Sequence, residues 1–322
     1  MIRVGIVGGT GYTAGELIRI LLNHPDVALS WVHSQSTPGT YLSDVHQGLV
    51  GETFMRFTDA TDWDEIDCLF SCLPHGVSRT FIEEANIPDR VRIIDLSADY
   101  RDDPTGAFVY GLPELNRKAM VRGATRVACP GCLAMAVELA LLPLAKNLLL
   151  NAPIHVTTVT GSTTAGSRPQ PYSHYSYRNE NMTVYRPFGH SHQPEIERTL
   201  RALQTSCNCR IDHVPMRGPF SRGILAAVYL DTAVALDEIR RLYEEYYADH
   251  NFTYISDRMP DLKDVIGTNK CLLHLEKHDG RLLVVSVIDN LLKGASGTAI
   301  HNMNLLFGLS ERTGLYLKAQ AL

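Results

Sequence analysis

The chain has 322 residues, 45% of them hydrophobic and 20% charged. That is enough apolar material for about two cored domains, and it excludes a disordered or collagen-like chain. Thirty Lys and Arg against 35 Asp and Glu leave a net charge of −5 with no block of five like charges, which argues against a nucleic-acid or anionic-membrane surface as the main business.

Residues 3–7 form a short β-branched run stopped by Gly8-Gly9-Thr10-Gly11, and Leu17, Ile18, Leu21 and Leu22 follow at helical spacing. Gly9-x-Gly11-x-x-Ala14 therefore lies between a strand and a helix, where glycines let a pyrophosphate approach the helix N-terminal amides. Gly8, Gly9, Thr10, Gly11, Tyr12 and Thr13 are the candidate cofactor loop. Residues 27–33 read as the second strand. It ends in His33-Ser34-Gln35-Ser36, without the acid an NAD enzyme keeps there, so the hydroxyls of Ser34 and Ser36 point to a 2′-phosphate and to NADP(H). Residues 66–70 and 91–95 read as further strands, with a helix around 77–85. This alternation argues a parallel doubly wound sheet with helices on both faces.

Cys129-Pro130-Gly131-Cys132 precedes an apolar stretch over residues 133–150. Glu138, Pro143, Lys146 and Asn147 interrupt it, and it falls short of the roughly 20 apolar residues of a membrane span, so a buried helix broken at Pro143 is expected. A thiol at a helix N-terminus meets the positive end of the dipole, which favours the thiolate. Cys132, closer to the helix and preceded by glycine, is the nucleophile candidate. The competing readings are two small core cysteines, a Cys-x-x-Cys redox centre, or half a metal site completed by Cys207-x-Cys209 or His190-x-His192. Redox motifs follow the first strand of a much smaller fold, and Cys207 and Cys209 lie in a polar loop-like stretch, so no metal is assigned. Seven cysteines in no disulfide framework, with residues 1–7 running straight into structure and no signal-peptide pattern, fit a reduced cytoplasmic enzyme.

After about residue 150 the texture changes. Residues 154–160, 211–216, 224–230, 271–276 and 282–288 are strand-like, and the last two flank Lys277-His278-Asp279-Gly280, whose Asp-Gly marks a hairpin. Residues 236–247 form an amphipathic helix opened by Asp237 and Glu238, and residues 294–307 a closing helix. His190-Ser191-His192-Gln193-Pro194-Glu195 lies in a segment dense with turn residues. Histidines two apart point to opposite faces of an extended chain, so one is the acid/base candidate, tuned by Glu195, and the other is structural or touches substrate. The expected class is α/β: a Rossmann-type doubly wound parallel sheet plus a second α+β domain with a mixed or antiparallel sheet.

Several segments together carry a resemblance. They are residues 8–17, Leu73-Pro74-His75-Gly76, Asp95-Leu96-Ser97-Ala98-Asp99-Tyr100-Arg101, Tyr110-Gly111-Leu112-Pro113-Glu114, Pro130-Gly131-Cys132, Gly189 to Ile196, Arg222-Gly223-Ile224 and Asp289 to Ala295. In this order the chain resembles the N-acetyl-γ-glutamyl-phosphate reductase family of arginine biosynthesis from residue 2 to about 308. The resemblance implies the fold shared with aspartate-semialdehyde dehydrogenase. Residues 1–131 would form the NADP-binding domain, completed by a C-terminal helix within 294–322, and residues 132–293 the catalytic and oligomerisation domain. It implies NADPH-dependent reduction of an acyl phosphate to a semialdehyde through a thioester on Cys132, with His190 as acid/base and Glu195 as its partner. Arg101 is carried over as a phosphate ligand, Arg222 as the grip on the substrate carboxylate, and His192 as a substrate contact. Pro74, His75, Ser162, Gly166, Asn290 and Lys293 are carried over to the cofactor. A small-molecule substrate and a homodimer or homotetramer are implied, with no nucleic acid and no membrane.

The chain also departs from the family. Leu133-Ala134-Met135 follows the cysteine where many members have Tyr-Pro-Thr, no arginine stands near Gln35, the segment between Arg101 and Tyr110 is short, and residues 217–221 lengthen the approach to Arg222. An N-succinyl in place of the N-acetyl group is therefore an alternative, as is a carrier-bound aminoadipyl phosphate. An NADP-sensing protein without chemistry is a distant one, opposed by retention of both the cysteine and the His-x-His pair.

Overall fold

The computed structural model describes residues 1–207 and 210–320, and the chain divides into two compact units. The first comprises Met1–Pro130 and Ala295–Tyr316, the second Gly131–Gly294 and residues 317–320. Of residues 294–322, expected to complete the first domain, Ala295–Tyr316 lie in the first unit, and Gly294 and residues 317–320 cluster with the second.

The first unit runs β1 (Ile2–Val7), α1 (Tyr12–Leu21), β2 (Val27–His33), the short α2 (Leu42–Val45), β3 (Phe57–Thr58), β4 (Cys68–Ser71), α3 (Ser78–Glu84), β5 (Arg92–Asp95), β6 (Val109–Tyr110), α4 (Pro113–Val121) and β7 (Arg126–Ala128). Its seven strands lie in the order β3-β2-β1-β4-β5-β7-β6, and every pairing is parallel. Helices on the faces leave the central strands no solvent side, so Val4 to Val7 and Cys68 to Ser71 are buried without alternation. That continuity made β1, β2, β4 and β5 legible. The strands β3, β6 and β7 have two or three residues each, too few to show a period.

The second unit runs α5 (Cys132–Lys146), β8 (Ile154–Thr160), the short α6 (Tyr175–Arg178), β9 (Thr183–Val184), α7 (Gln193–Leu203), β10 (Ile211–Arg217), β11 (Ile224–Asp231), α8 (Leu236–Tyr247), β12 (Thr253–Ile255), β13 (Cys271–His278) and β14 (Arg281–Ile288). Its mixed sheet has the order β12-β13-β14-β11-β8-β10-β9. β8 and β11 alternate buried and half-exposed residues, as a sheet covered on one face must. β13 and β14 form the expected hairpin, with Asp279 at φ 46° and Gly280 at φ 82° in the left-handed conformations this tight turn requires.

Helix α5 is the core of this unit. Leu133 to Ala145 are all buried, because the helix is apolar all round and is packed against β11, β14, α7 and α8. It does not break at Pro143 as expected; it continues to Lys146. The proline nitrogen carries no hydrogen for the Leu139 carbonyl, and the Tyr247 hydroxyl of α8 donates to that carbonyl instead. Tyr243 does the same for Ala140. Among the described residues no helix is long and apolar enough to cross a membrane.

After a π-type turn at Leu292–Ser296 the chain ends its regular structure with α9 (Gly297–Leu306), which belongs to the first unit and packs on α4 and β5. The closing helix expected over 294–307 is thus α9, and residues 307–320 follow it as turns and irregular chain.

Candidate active site

The glycine loop of the first unit is shaped for close approach. Gly8 has φ 76°, and a Cβ on it would lie 2.7 Å from the Cys72 carbonyl; a Cβ on Gly9 would lie 2.4 Å from the Val32 side chain. Gly11, the N-cap of α1, has open space around it and no side chain to cap the helix. The first-turn amides beside Thr10, Tyr12 and Thr13 therefore remain as donors for an anion. His46 holds the loop from below: its Nε2 is 2.7 Å from the Gly9 carbonyl, a contact nothing in the sequence signalled.

At the end of β2 the Ser34 hydroxyl lies 3.3 Å from that of Ser36 and 2.9 Å from that of Thr37. On the loop that follows, Arg56 Nη1 donates to the Gly39 carbonyl at 2.5 Å. Asp59, after β3, is close enough for its charge to act on His33, whose pKa burial lowers. Beyond β4, His75 Nδ1 accepts the Ala98 amide at 2.9 Å and the Gly76 amide donates to Asp99 at 2.7 Å, tying the Pro74–His75 loop to the loop after β5. Arg101, on that second loop, donates from Nε to the Cys129 carbonyl at 2.9 Å. Cys129 itself is buried, and burial pushes its thiol up to about 12 despite the Asn302 amide 3.7 Å from Sγ.

In the second unit, Cys132 is the first residue of α5 and the one residue between 131 and 145 that is not buried. Gly131 caps the helix, and its amide donates to Glu195 Oε1 at 2.8 Å. On the other side a Cβ on Gly294 would lie 2.9 Å from Cys132 Cβ, so only glycine leaves the Cys132 side chain its room. α7 turns the Glu195 carboxylate to Gly131, and His190 Nδ1 accepts the His192 amide at 3.1 Å. That bond places the His190 proton on Nε2. Burial, with the nearby Arg186 charge, lowers the His190 pKa to about 4, so the ring is neutral at pH 7. Its neighbours are His192, Tyr185 and His213, with ring centroids 4.9, 5.6 and 5.6 Å away.

Arg222 Nε donates to the fully buried Asp289 at 2.7 Å, and Asp289 also accepts the amides of Gly267, Leu291 and Leu292. Asn290 accepts the Gly223 amide at 2.7 Å and donates to Thr163 at 3.0 Å, bracing the Ser162–Gly166 turn rather than offering its amide outward. Lys293 is fully buried, with Nζ 6.0 Å over the Phe252 ring. Asp289 and Gly294 fall in a sequence motif that assigned neither of them a role, and nothing in the sequence pointed to Tyr185. Of the residues weighed for zinc, Cys207 is buried and Cys209 lies outside the described residues.

The family model "Semialdehyde dehydrogenase, NAD binding domain" matches residues 3–122, and "Semialdehyde dehydrogenase, dimerisation domain" matches residues 132–290. The chain is 56% identical over 322 residues to a Parabacteroides distasonis protein named N-acetyl-gamma-glutamyl-phosphate reductase, covering 100% of both chains. It is 54% identical to one of the same name from Bacteroides thetaiotaomicron, over 100% of both, and 45% identical to one from Flavobacterium johnsoniae, over 99% of both. Among solved structures, aspartate semialdehyde dehydrogenase II of Vibrio cholerae superposes with a TM-score of 0.76 at 17% identity, over 96% of this chain and 98% of that one. The Candida albicans aspartate semialdehyde dehydrogenase does so with a TM-score of 0.74 at 14% identity, over 95% and 99%. These likenesses support the fold expected from the sequence.

Proposed function

The chain belongs to the semialdehyde dehydrogenase family, among the N-acetyl-γ-glutamyl-phosphate reductases, and we propose that it reduces N-acetyl-γ-glutamyl phosphate to N-acetylglutamate semialdehyde with release of phosphate. The observation that carries this reading is the half-exposed Cys132 at the start of an otherwise buried helix. The positive end of α5 favours negative charge on its sulfur.

Cys132 Sγ attacks the acyl carbon, the carbon–oxygen bond to phosphate breaks, and a thioester forms on the chain. A nicotinamide dinucleotide, when bound, supplies the hydride for its reduction. The resulting thiohemiacetal oxygen re-forms a carbonyl, the carbon–sulfur bond breaks, and Cys132 returns as thiolate. His190, neutral and with its proton on Nε2, donates a hydrogen bond to the oxygen on which charge develops. Glu195 acts as a positioning residue: it holds Gly131, and with it the backbone that carries the thiol.

The glycine loop fits the cofactor's pyrophosphate, for the close approaches at Gly8 and Gly9 exclude side chains and Gly11 leaves the helix end open. Ser34, Ser36 and Arg56 would hold a 2′-phosphate, which favours NADP(H), and Pro74, His75 and the Ser162–Gly166 turn remain cofactor candidates. Arg101 remains the candidate ligand for the leaving phosphate. The enzyme works in the cytoplasm as a homodimer or homotetramer. The test is phosphate-dependent oxidation of N-acetyl, N-succinyl and unacylated semialdehydes with NADP+ and NAD+. Preference for N-acetylglutamate semialdehyde is the expected result, and a clear preference for aspartate semialdehyde would overturn the reading.

A further inference from the structure

Two arginines of the second unit have no part in this chemistry. Arg178, the last residue of α6, is 8% exposed. Its Nη2 donates to the Thr160 carbonyl at 2.9 Å, while its Nε is buried without an acceptor among the described residues. Arg217, the last residue of β10, pairs across the sheet with Thr160 and Thr183, and its guanidinium lies 4.2 Å over the Tyr172 ring and 4.1 Å over the Tyr185 ring. Among the described residues neither arginine has a carboxylate within ion-pair distance. Each cation sits near enough to the other for Arg217 to add to burial in lowering the Arg178 pKa. Burying a guanidinium beside a like charge is costly unless an anion completes the set.

The surroundings say which anion. Tyr185 joins the pair to the catalytic residues, with its ring 5.6 Å from that of His190 and its environment within reach of the Cys132 charge. The arginine first assigned to the substrate carboxylate, Arg222, already faces the buried Asp289. We propose that Arg178 and Arg217 form the subsite for a carboxylate of the acylated amino-acid substrate, holding it while its distal carbonyl meets Cys132. The planar Nε edge of Arg178 suits a carboxylate, and Arg217 is fixed between two aromatic rings that cost it little further entropy on binding. Two carboxylates have this chemistry: the α-carboxylate of the amino acid, and one borne by a dicarboxylic acyl group.

This inference rests on the proposed acyl-phosphate reduction, and the test keeps the two apart. Arg178→Met, Arg178→Lys and Arg217→Gln are assayed in the oxidative direction with N-acetylglutamate and N-succinylglutamate semialdehydes. The KM for the semialdehyde should rise about tenfold or more, as loss of a charge-assisted hydrogen bond implies, with kcat and the KM values for phosphate and NADP+ little changed. Arg178→Lys should recover part of the loss. A rise with both substrates assigns the α-carboxylate; a rise confined to the succinylated one assigns the acyl carboxylate. Unchanged semialdehyde KM in the variants, or a rise in phosphate KM instead, would overturn the subsite. Should Arg178→Met fail to fold, the half-buried Arg217 carries the test alone. A wild-type enzyme inactive on both substrates would refute the proposed reaction, and the subsite would then stand or fall on whether Arg217→Gln weakens binding of N-acetylglutamate and N-succinylglutamate in calorimetry.

Discussion

Replacing Glu195 separates two roles for its carboxylate. Oε1 accepts the Gly131 amide at 2.8 Å in a buried setting, and Gly131 immediately precedes Cys132. A hydrogen bond to a charged group contributes about 1.5–3 kcal/mol and one between neutral groups about 0.5–1.5. Glu195→Gln keeps an acceptor in place and should cost about 1 kcal/mol of stability. Glu195→Ala removes the acceptor of a buried amide and leaves a void, for about 3 kcal/mol in all. Activity should divide in the same way. The Gln variant keeps the thiol where the turn sets it and should retain kcat within about tenfold, whereas the Ala variant, with a shifted thiol, should lose about a hundredfold. Urea unfolding and phosphate-dependent semialdehyde oxidation measure the two quantities. If Glu195 worked as the proton-transfer partner of His190, the Gln variant would be as inactive as the Ala variant, with about 10²–10⁴ lost in each. Equal loss would refute the positioning role.

Acid should weaken the fold through its buried histidines. His190 and His213 have folded pKa values of about 4 against an ordinary 6.5, both held down mainly by burial. The unfolded chain therefore binds more protons between those values, and stability is complete above pH 6.5 and is lost as pH falls toward 4. From pH 8 to pH 5 each should contribute about 2 kcal/mol of lost stability, with His24 and His33 acting in the same direction; a urea midpoint that stays level over that range would contradict this. Tyr247→Phe should cost about 1–3 kcal/mol by stripping the Leu139 carbonyl of its donor. In a Pro143→Ala background, which returns a helical amide to that carbonyl, the cost should shrink by about 1 kcal/mol, and equal costs in both backgrounds would show that the hydroxyl does not compensate for the proline.

What the sequence disclosed depended on range. Helix α8 was legible end to end because Ile239, Tyr243 and Tyr247 repeat at helical spacing on its buried face. The hairpin at Asp279-Gly280 was legible because the turn's left-handed conformations demand such residues locally. Pro143 misled because the group that compensates for it lies 108 positions from the carbonyl it satisfies. The start of the apolar helix at Cys132 was legible, while the bond from the Gly131 amide to Glu195 was not. Sequence proximity pointed to His190, but the first turn of α7 aims the carboxylate at a residue 64 positions earlier. Arg178 and Arg217 gave no signal at all, since a lone arginine in a polar segment resembles any solvated cation until the fold buries it.

The central claim is that Cys132 carries the acyl group, and phosphate-dependent semialdehyde oxidation by Cys132→Ser, measured beside Cys129→Ser and with NADP(H) binding followed separately, tests it most directly. Cys129 is buried, its thiol pushed up to about 12, so its variant should keep most activity. Cys132→Ser should show no turnover while binding NADP(H) like the wild type. Undiminished turnover in Cys132→Ser, or equal inactivation by both substitutions, would contradict the account.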